Sequence, residues 1–312
     1  MTGAMPSDSG SANPGQANPG PVGGGLGGLG GLVPADRLLG RRLVMTPARR
    51  AAILIGVPIV FLIFVAGGFS VVSGAAAGSF PVSESVPIPG GKLTMNLGGG
   101  GATLHGSDMN SATARVIGTV TYHITRPSLR VAAGDISLNC PKVNTGNCNL
   151  NASVDVPAGI ALNVQTDGGN LTASDLSGGA TLNTDGGELT LTNATGDSAL
   201  ALASGGGDVH VSQVSRPAVS INADGGNVTG TVSAPQVTAG SGGGDVTLTL
   251  TTPPRDLQVT SDGGNVTIVV PRGTYIVKES ADGGNVSGID SSAGAQDTIS
   301  VSSRGGNISV TD

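Results

Sequence analysis

Residues 259–268 read Val-Thr-Ser-Asp-Gly-Gly-Asn-Val-Thr-Ile, and this unit decides the fold because it recurs along most of the chain. In all eight copies a Gly-Gly pair is followed by Asn, Asp or Glu, and its second glycine returns every 18 to 22 residues. The pairs are Gly168 and Gly169, Gly186 and Gly187, Gly206 and Gly207, Gly225 and Gly226, Gly243 and Gly244, Gly263 and Gly264, Gly283 and Gly284, and Gly305 and Gly306. Such a fixed period indicates a repeat architecture.

The arms on either side of each pair alternate apolar and polar residues, as in Leu-Asn-Val at 162–164 and Val-Thr-Ile at 266–268, which is typical of strands. Glycine suits the corner because it reaches positive φ, and because a side chain would collide with the next coil. We therefore predict an all-β fold, a right-handed parallel β-solenoid or β-helix of about 20 residues per coil. One unit per coil, which we favour, places Gly168 beside Gly186, whereas two units place it beside Gly206.

The flanking composition divides the chain into four segments. Residues 1–50 are rich in Gly and Pro and end in a cluster of Arg, which is typical of a disordered cytoplasmic tail. Residues 51–73 contain no charge and are long enough for one transmembrane helix. The arginines lie on its N-terminal side, so the N-terminus is expected in the cytoplasm. Residues 74–90 are expected to form a stalk, and residues 91–312 the extracytoplasmic solenoid.

A cleaved signal peptide is the alternative for the apolar segment, because Ala75, Ala76 and Ala77 are small residues of the type found at cleavage sites. The long leading segment and the length of the apolar run favour an uncleaved, single-pass anchor. The sequence leaves the question of cleavage open.

Charge and aromatic content restrict the kind of partner. After residue 73 the chain has ten basic and nineteen acidic residues, so it offers no footprint for nucleic acid. After Phe80 the only aromatic residues are Tyr122 and Tyr275. Thin sheets filled with Val, Leu, Ile and Ala are therefore expected rather than a deep core.

The polar residues of the corners suggest two further hypotheses. Carboxylates precede or follow many of the glycine pairs and could bind Ca²⁺ if they stacked along one edge, yet turn preference alone explains them. These carboxylates are Asp167, Asp185, Asp224, Asp262, Asp282, Glu188, Asp208 and Asp245. The asparagines that open Asn-x-Thr/Ser sequons are Asn170, Asn227, Asn265, Asn285 and Asn307. We expect their amides to form a ladder along the corner rather than to carry glycans.

Cys140 and Cys148 are separated by seven residues, and in an extracytoplasmic segment we expect them to form a local disulfide. With no His nearby, the pair matches no zinc-binding pattern. His105, His123 and His210 are scattered, and no hydrolase or phosphate-loop motif accompanies them. We therefore predict no metal, no cofactor and no catalytic site.

The segment Val156-Pro157-Ala158-Gly159, followed by Leu162-x-Val164 and the serial Gly-Gly corners, resembles a bacterial domain-of-unknown-function family named for adhesins. The resemblance covers about residues 90–310 and implies an exported β-solenoid behind one membrane segment. It implies no catalytic residues.

These observations predict a membrane-anchored, non-enzymatic bacterial surface protein that serves adhesion or envelope interaction, with a cell-wall or extracellular ligand. An envelope sensor or scaffold that signals through its membrane helix is the first alternative. A β-helix enzyme acting on polysaccharides is the second, although such enzymes need clustered acids and aromatic platforms. The ligand and the oligomeric state do not follow from the sequence.

Overall fold

The computed structural model describes residues 77–109, 113–123, 126–140 and 148–312, and these residues form strands joined by turns. One short 3-10 turn, Pro89–Gly91, interrupts them near the start. The strands are β1 (Gly78–Pro87), β2 (Lys92–Asn96), β3 (Ala102–Ser107), β4 (Thr113–Tyr122), β5 (Ser128–Ala132), β6 (Asp135–Asn139), β7 (Cys148–Pro157), β8 (Ala161–Thr166), β9 (Leu171–Leu176), β10 (Ala180–Thr184), β11 (Leu189–Thr195), β12 (Leu200–Ser204), β13 (Val209–Ser215), β14 (Ala218–Ala223), β15 (Val228–Ser233), β16 (Gln236–Ser241), β17 (Val246–Leu250), β18 (Asp256–Ser261), β19 (Val266–Val269), β20 (Tyr275–Ala281), β21 (Val286–Ser287), β22 (Asp297–Ser303) and β23 (Ile308–Thr311).

The strands make two facing sheets. One has twelve strands in the order β1-β4-β7-β3-β9-β11-β13-β15-β17-β19-β23-β21, and the other has eleven in the order β20-β22-β18-β16-β14-β12-β10-β8-β2-β6-β5. Each coil contributes one strand to each sheet, and the Gly-Gly corner joins the two strands. Gly186 lies beside Gly168, with 3.6 Å between the Gly168 Cα and the place of a Cβ on Gly186. The structure therefore has one repeat unit per coil.

The core is a narrow double layer of aliphatic side chains. Along β10, Ala180, Leu182 and Thr184 point inward and are buried, whereas the residues between them are not. In the parallel ladder Leu182 lies between Val164 and Leu202, both of which are buried. Stacking thus removes a continuous column of methyl groups from water, which is the main favourable contribution to folding.

The prediction of a wholly parallel solenoid built in chain order is wrong at both ends of the stack. At the N-terminal end β1, β4 and β7 pair antiparallel, and so do β5 and β6. The next coil, formed by β2 and β3, stacks on the later β8 and β9, which leaves β6 and β7 outside it. At the other end β22 inserts between β18 and β20. The last coil in sequence is therefore the second-to-last in space.

The predicted fold also placed a transmembrane helix before the solenoid. Among residues 77–312, apart from the three short gaps, no helix is long and apolar enough to cross a membrane. The proposed tail (residues 1–50) and membrane segment (residues 51–73) lie outside the described residues. Within the segment assigned to a stalk (residues 74–90), the structure places β1 as a ten-residue strand of the larger sheet, with Val82 and Val86 in the core.

Candidate binding surface

The glycine corners hold the coils in contact. A Cβ on Gly226 would lie 2.3 Å from the carbonyl oxygen of Gly207, and the second glycine of the other seven pairs meets the neighbouring corner just as closely. The first glycine of the pair is less restricted, since a Cβ on Gly225 meets its nearest atoms at 3.5 Å. Neither glycine has positive φ, so that part of the prediction is wrong. Glycine is required at the second position because backbone stacks directly on backbone there.

Buried hydroxyl groups line the inner side of the same corners. The Ser241 hydroxyl accepts a hydrogen bond from the Gly244 N–H at 2.7 Å and donates one to the Gly226 carbonyl of the preceding coil at 2.8 Å. The hydroxyls equivalent to it are Thr166, Thr184, Ser204, Ser261 and Ser303, all buried. Sequence reasoning missed this column. The sequence pattern that could have predicted this column is a Ser or Thr three residues before the second glycine, which is present in six of the eight units.

On the outer side of the corners, the Asn and Asp side chains form the expected ladder. Asp208 accepts the Asn227 N–H through Oδ1 at 2.7 Å, Asn227 accepts the Asp245 N–H at 2.8 Å, and Asp245 accepts the Asn265 N–H at 2.7 Å. The Asp208 and Asp245 carboxylates therefore already accept protein hydrogen bonds, which favours the turn-forming role over a Ca²⁺ site. In the described parts of the chain, no three His, Cys, Asp or Glu side chains lie close enough to hold a metal ion.

Cys140 and Cys148 form a disulfide with 5.8 Å between their Cα atoms. The bond joins the end of β6 to the start of β7, in the place where the regular coils have a Gly-Gly corner. Beside it, Gly98 has a φ of 45°, and a Cβ there would lie 2.9 Å from the Cys140 Sγ. The run from Gly98 to Gly101 is itself a corner, because Gly169 stacks on Gly100.

His105, Ser174 and Asp175 come together on the outer surface of the larger sheet, a grouping that sequence reasoning did not find because β3 and β9 are distant in the chain. The His105 Nδ1 atom lies 3.1 Å from the Ser174 Oγ and 3.2 Å from the Asp175 Oδ2. A hydrolytic triad needs the hydroxyl and the carboxylate on opposite ring nitrogens. Because both groups meet the same nitrogen here, the geometry does not form that relay.

Asp175 belongs to a column of three bulge residues. Asp175, Asn193 and Gln213 have φ of 59°, 55° and 55° and lie side by side on β9, β11 and β13. The Asn193 amide donates to the Asp175 Oδ1 at 2.6 Å, and this bond together with Ser174 and His105 lowers the pKa of the Asp175 carboxyl. The column ends at β15, which has one residue fewer at this level. We interpret it as a shared bend of three strands.

The other histidines are not grouped for catalysis in the described residues. His210 bonds to the Thr229 hydroxyl through Nδ1, and its Nε2 lies 3.8 Å from the Glu188 Oε1. His123 ends the described segment that follows β4 and is exposed.

Arg216 is a buried cation at the side of the stack opposite the corners. Its guanidinium donates to the carbonyl groups of Leu176, Ser177 and Ser198 at 2.8, 3.2 and 3.3 Å. Burial lowers the pKa of the Arg216 side chain, and its Nε atom has no hydrogen-bond partner. We interpret Arg216 as a structural residue that supplies hydrogen bonds to backbone carbonyl groups where the return loops of three coils meet.

The outer surface of the smaller sheet has a depression of about 530 Å³, which we call the alanine trough. Lys92 and Gln236 stand at its two ends, on β2 and β16. Its floor is made of small residues, Ala161, Gly179, Ala199 and Ala218. Its wall is made of hydroxyl and amide side chains, Asn163, Thr181, Ser220 and Thr238. Five strand steps separate the two ends, a length of about 24 Å at the usual strand spacing.

The middle strands of the larger sheet carry larger side chains on their outer surface. Its outward positions carry a row of hydroxyl residues, interrupted at His210, that follows the stack. The members of the row on the regular coils are Thr172, Thr190, Thr229, Thr247 and Thr267. Both outer surfaces are therefore polar but short of charge. The larger sheet also has a depression of about 530 Å³, on β3, β4, β7 and β9 near the N-terminal end.

A two-sheet, mostly parallel stack with glycine corners defines a class of repetitive all-β proteins. The chain belongs to the Toastrack DUF4097 family, whose model matches residues 108–311. This membership confirms the resemblance inferred from the corner repeat.

Solved structures with a similar fold come from several bacteria. A "putative adhesin" from Bacteroides fragilis is 13% identical, with a TM-score of 0.43, and the match covers 75% of this chain and 97% of that one. A "putative adhesin" from Parabacteroides distasonis is 12% identical, with a TM-score of 0.38 and coverage of 75% and 96%. A "putative cell adhesion protein" from Clostridium sporogenes is 15% identical, with a TM-score of 0.25 and coverage of 74% and 99%. No curated protein matches the chain.

Proposed function

We propose that this protein is a non-catalytic surface module that binds a ligand of the cell envelope or of a neighbouring surface through the broad faces of its stack. The observation that carries the proposal is the alanine trough, a long polar-walled depression on a rigid sheet. Rigid faces built from regular strands bind extended ligands with little loss of conformational entropy. The names of the similar bacterial structures agree with such a role.

The charge of the chain supports a ligand other than nucleic acid. Residues 148–312 contain five basic and sixteen acidic residues, and one of the five, Arg216, is buried. Such an excess of negative charge opposes binding to a polyphosphate backbone. The corner carboxylates contribute to this field, and two of them, Asp208 and Asp245, accept hydrogen bonds in the corner ladder.

Cell-surface display is part of the proposal. Attachment through residues 51–73 stays a prediction from the sequence, because that segment lies outside the described residues. Fractionation of cells that express the full chain, followed by protease treatment of intact cells, measures whether residues 77–312 face outward. Protection of these residues in intact cells would contradict surface display.

The binding test uses the full chain and a panel of purified cell-wall glycans and extracellular matrix proteins, with Ca²⁺ and with a chelator. We expect saturable binding to one class of glycan, unchanged by chelation because the corner carboxylates of Asp208 and Asp245 already accept protein hydrogen bonds. A Gly226→Leu variant, which cannot stack its coils, serves as the unfolded control. Absence of binding across the panel would overturn the proposal and favour the envelope sensor.

A further inference from the structure

Deepening the proposed function, on which this inference rests, we propose that the alanine trough binds a linear glycan with a single carboxylate at one end, laid along the stack from Lys92 to Gln236 with the carboxylate at Lys92. The trough is continuous over β2, β8, β10, β12, β14 and β16, because successive coils place a small residue at the same level. A ligand that fills it is therefore long, narrow and unbranched.

The floor and the wall of the trough fit the two kinds of surface on a sugar chain. Alanine methyl groups on the floor pack against the C–H faces of sugar rings, which are apolar. The hydroxyl and amide groups on the wall, such as those of Asn163 and Thr181 on adjacent strands, can both donate and accept hydrogen bonds. Sugars usually bind over aromatic rings, but here a row of methyl groups gives the flat apolar contact.

An extended peptide fits the trough less well. Peptides that bind to sheets gain most of their affinity by pairing with a free strand edge. The strands under the trough are interior strands whose backbone groups are already paired on both sides, from β8 through β16. A ligand in the trough can therefore form hydrogen bonds with side chains but not with backbone groups. Such hydrogen bonds suit a ligand rich in hydroxyl groups.

The charge at one end selects an acidic ligand. Lys92 is the one charged residue among those that line the trough, and it is exposed. An exposed ammonium group that meets a carboxylate contributes about 1 kcal/mol at most, which corresponds to about a fivefold change in affinity. The acidic remainder of the chain would repel further carboxylates along the trough, so the ligand carries its carboxylate at the Lys92 end alone and acquires a direction.

Calorimetry of the full chain with a cello-oligosaccharide and with the same oligosaccharide oxidised to a carboxylate at its reducing end tests the proposal. We expect the acidic probe to bind about fivefold more tightly than the neutral one. Lys92→Gln should remove that preference and leave the neutral probe unchanged. Ala199→Gln, which places a long side chain on the floor, should weaken both probes by at least about tenfold. Thr247→Gln, on the outer surface of the other sheet, should change neither.

The outcomes separate this inference from the broader function. If the parent chain binds the acidic probe and Ala199→Gln binds it equally well, the trough is not the site, although the surface-binding function stands. Tighter binding of the neutral probe would overturn the role of Lys92. If neither probe binds to a chain that does bind another member of the glycan or protein panel, the proposed ligand class is wrong while the adhesion function is retained.

Discussion

The middle of the stack and its two ends are built by different rules. From β8 to β19 each coil lies on the preceding one, and nearly every inward side chain is an aliphatic residue or a corner hydroxyl. At both ends the coils stack out of chain order. The N-terminal end has antiparallel strands and a disulfide in the place of a Gly-Gly corner. The C-terminal end has the strand β20, which carries charged side chains. The repeat therefore specifies how coils join, whereas other residues specify where the stack stops.

Each end protects a different edge. At the N-terminal end the antiparallel β1 covers β4, and β5 covers β6. At the other end the loop after β21 returns along β20, where the Ser292 N–H donates to the Tyr275 carbonyl and the Val277 N–H donates to the Ser291 hydroxyl. Solenoids need such altered terminal coils because an open edge would add strands from another chain.

The largest effect is expected from the corners of the middle coils. Gly226→Ala places a Cβ 2.3 Å from the Gly207 carbonyl oxygen, so two coils must separate. We expect a loss of about 3 kcal/mol, the upper part of the range for overpacking. Gly225→Ala is the matched control, since its Cβ meets atoms at ordinary contact distance. Thermal unfolding followed by circular dichroism compares the two, and equal melting temperatures would show that backbone stacking does not require the second glycine.

The disulfide should matter to the N-terminal end alone. Replacing Cys140 and Cys148 by Ser removes the cross-link of a short loop, which is expected to cost about 2 kcal/mol. Hydrogen exchange should then speed up in β6 and β7 but not in β14 or β16, because distant coils open separately. With a reductant present, the parent chain should match the variant. Faster exchange throughout the stack would mean that the ends and the middle unfold as one unit.

In the middle coils, removing a buried corner hydroxyl and adding one should have opposite effects on stability. Ser241→Ala leaves the Gly244 N–H and the Gly226 carbonyl without their partner, at a cost of about 1.5 kcal/mol. The preceding coil has Ala223 at the same level, fully buried. Ala223→Ser should therefore gain about 1 kcal/mol by adding the missing bonds. Denaturant unfolding measures both, and the same sign for the two variants would refute the bonding role.

The structure of the middle coils could largely be predicted from the sequence. A strict period with alternating apolar and polar arms is compatible with a single way of stacking the coils. The one-unit coil and the close approach at Gly226 are examples. The inversion at the C-terminal end does not follow, because the units around Gly284 and Gly306 have similar local sequences and either could stack next on Gly264. The trough does not follow either, since Ala199 becomes a floor residue only when neighbouring coils place their own small residues at its level.

The smallest expected effect on stability is at Glu279, a charged residue on β20, the outermost strand of the smaller sheet. Glu279 lies in the ladder beside Val301, in a column that holds aliphatic residues in the interior coils, and its Oε1 is buried without a partner. Burial raises the pKa of the Glu279 carboxyl, so the folded state favours its protonated form. Its contribution to stability is therefore greatest below the ordinary carboxyl pKa and falls as the pH rises through the raised value.

Glu279→Gln should remove this pH dependence and stabilise the chain at neutral pH by less than about 1 kcal/mol, because the Glu279 side chain is only partly buried. Glu279→Val extends the aliphatic column to the open edge, and we expect it to promote association of the chain through β20. Melting temperatures measured from pH 4 to pH 8, with light scattering at each pH, follow both effects. If Glu279→Val remains as monodisperse as the parent chain, the inward charge is not what ends the stack.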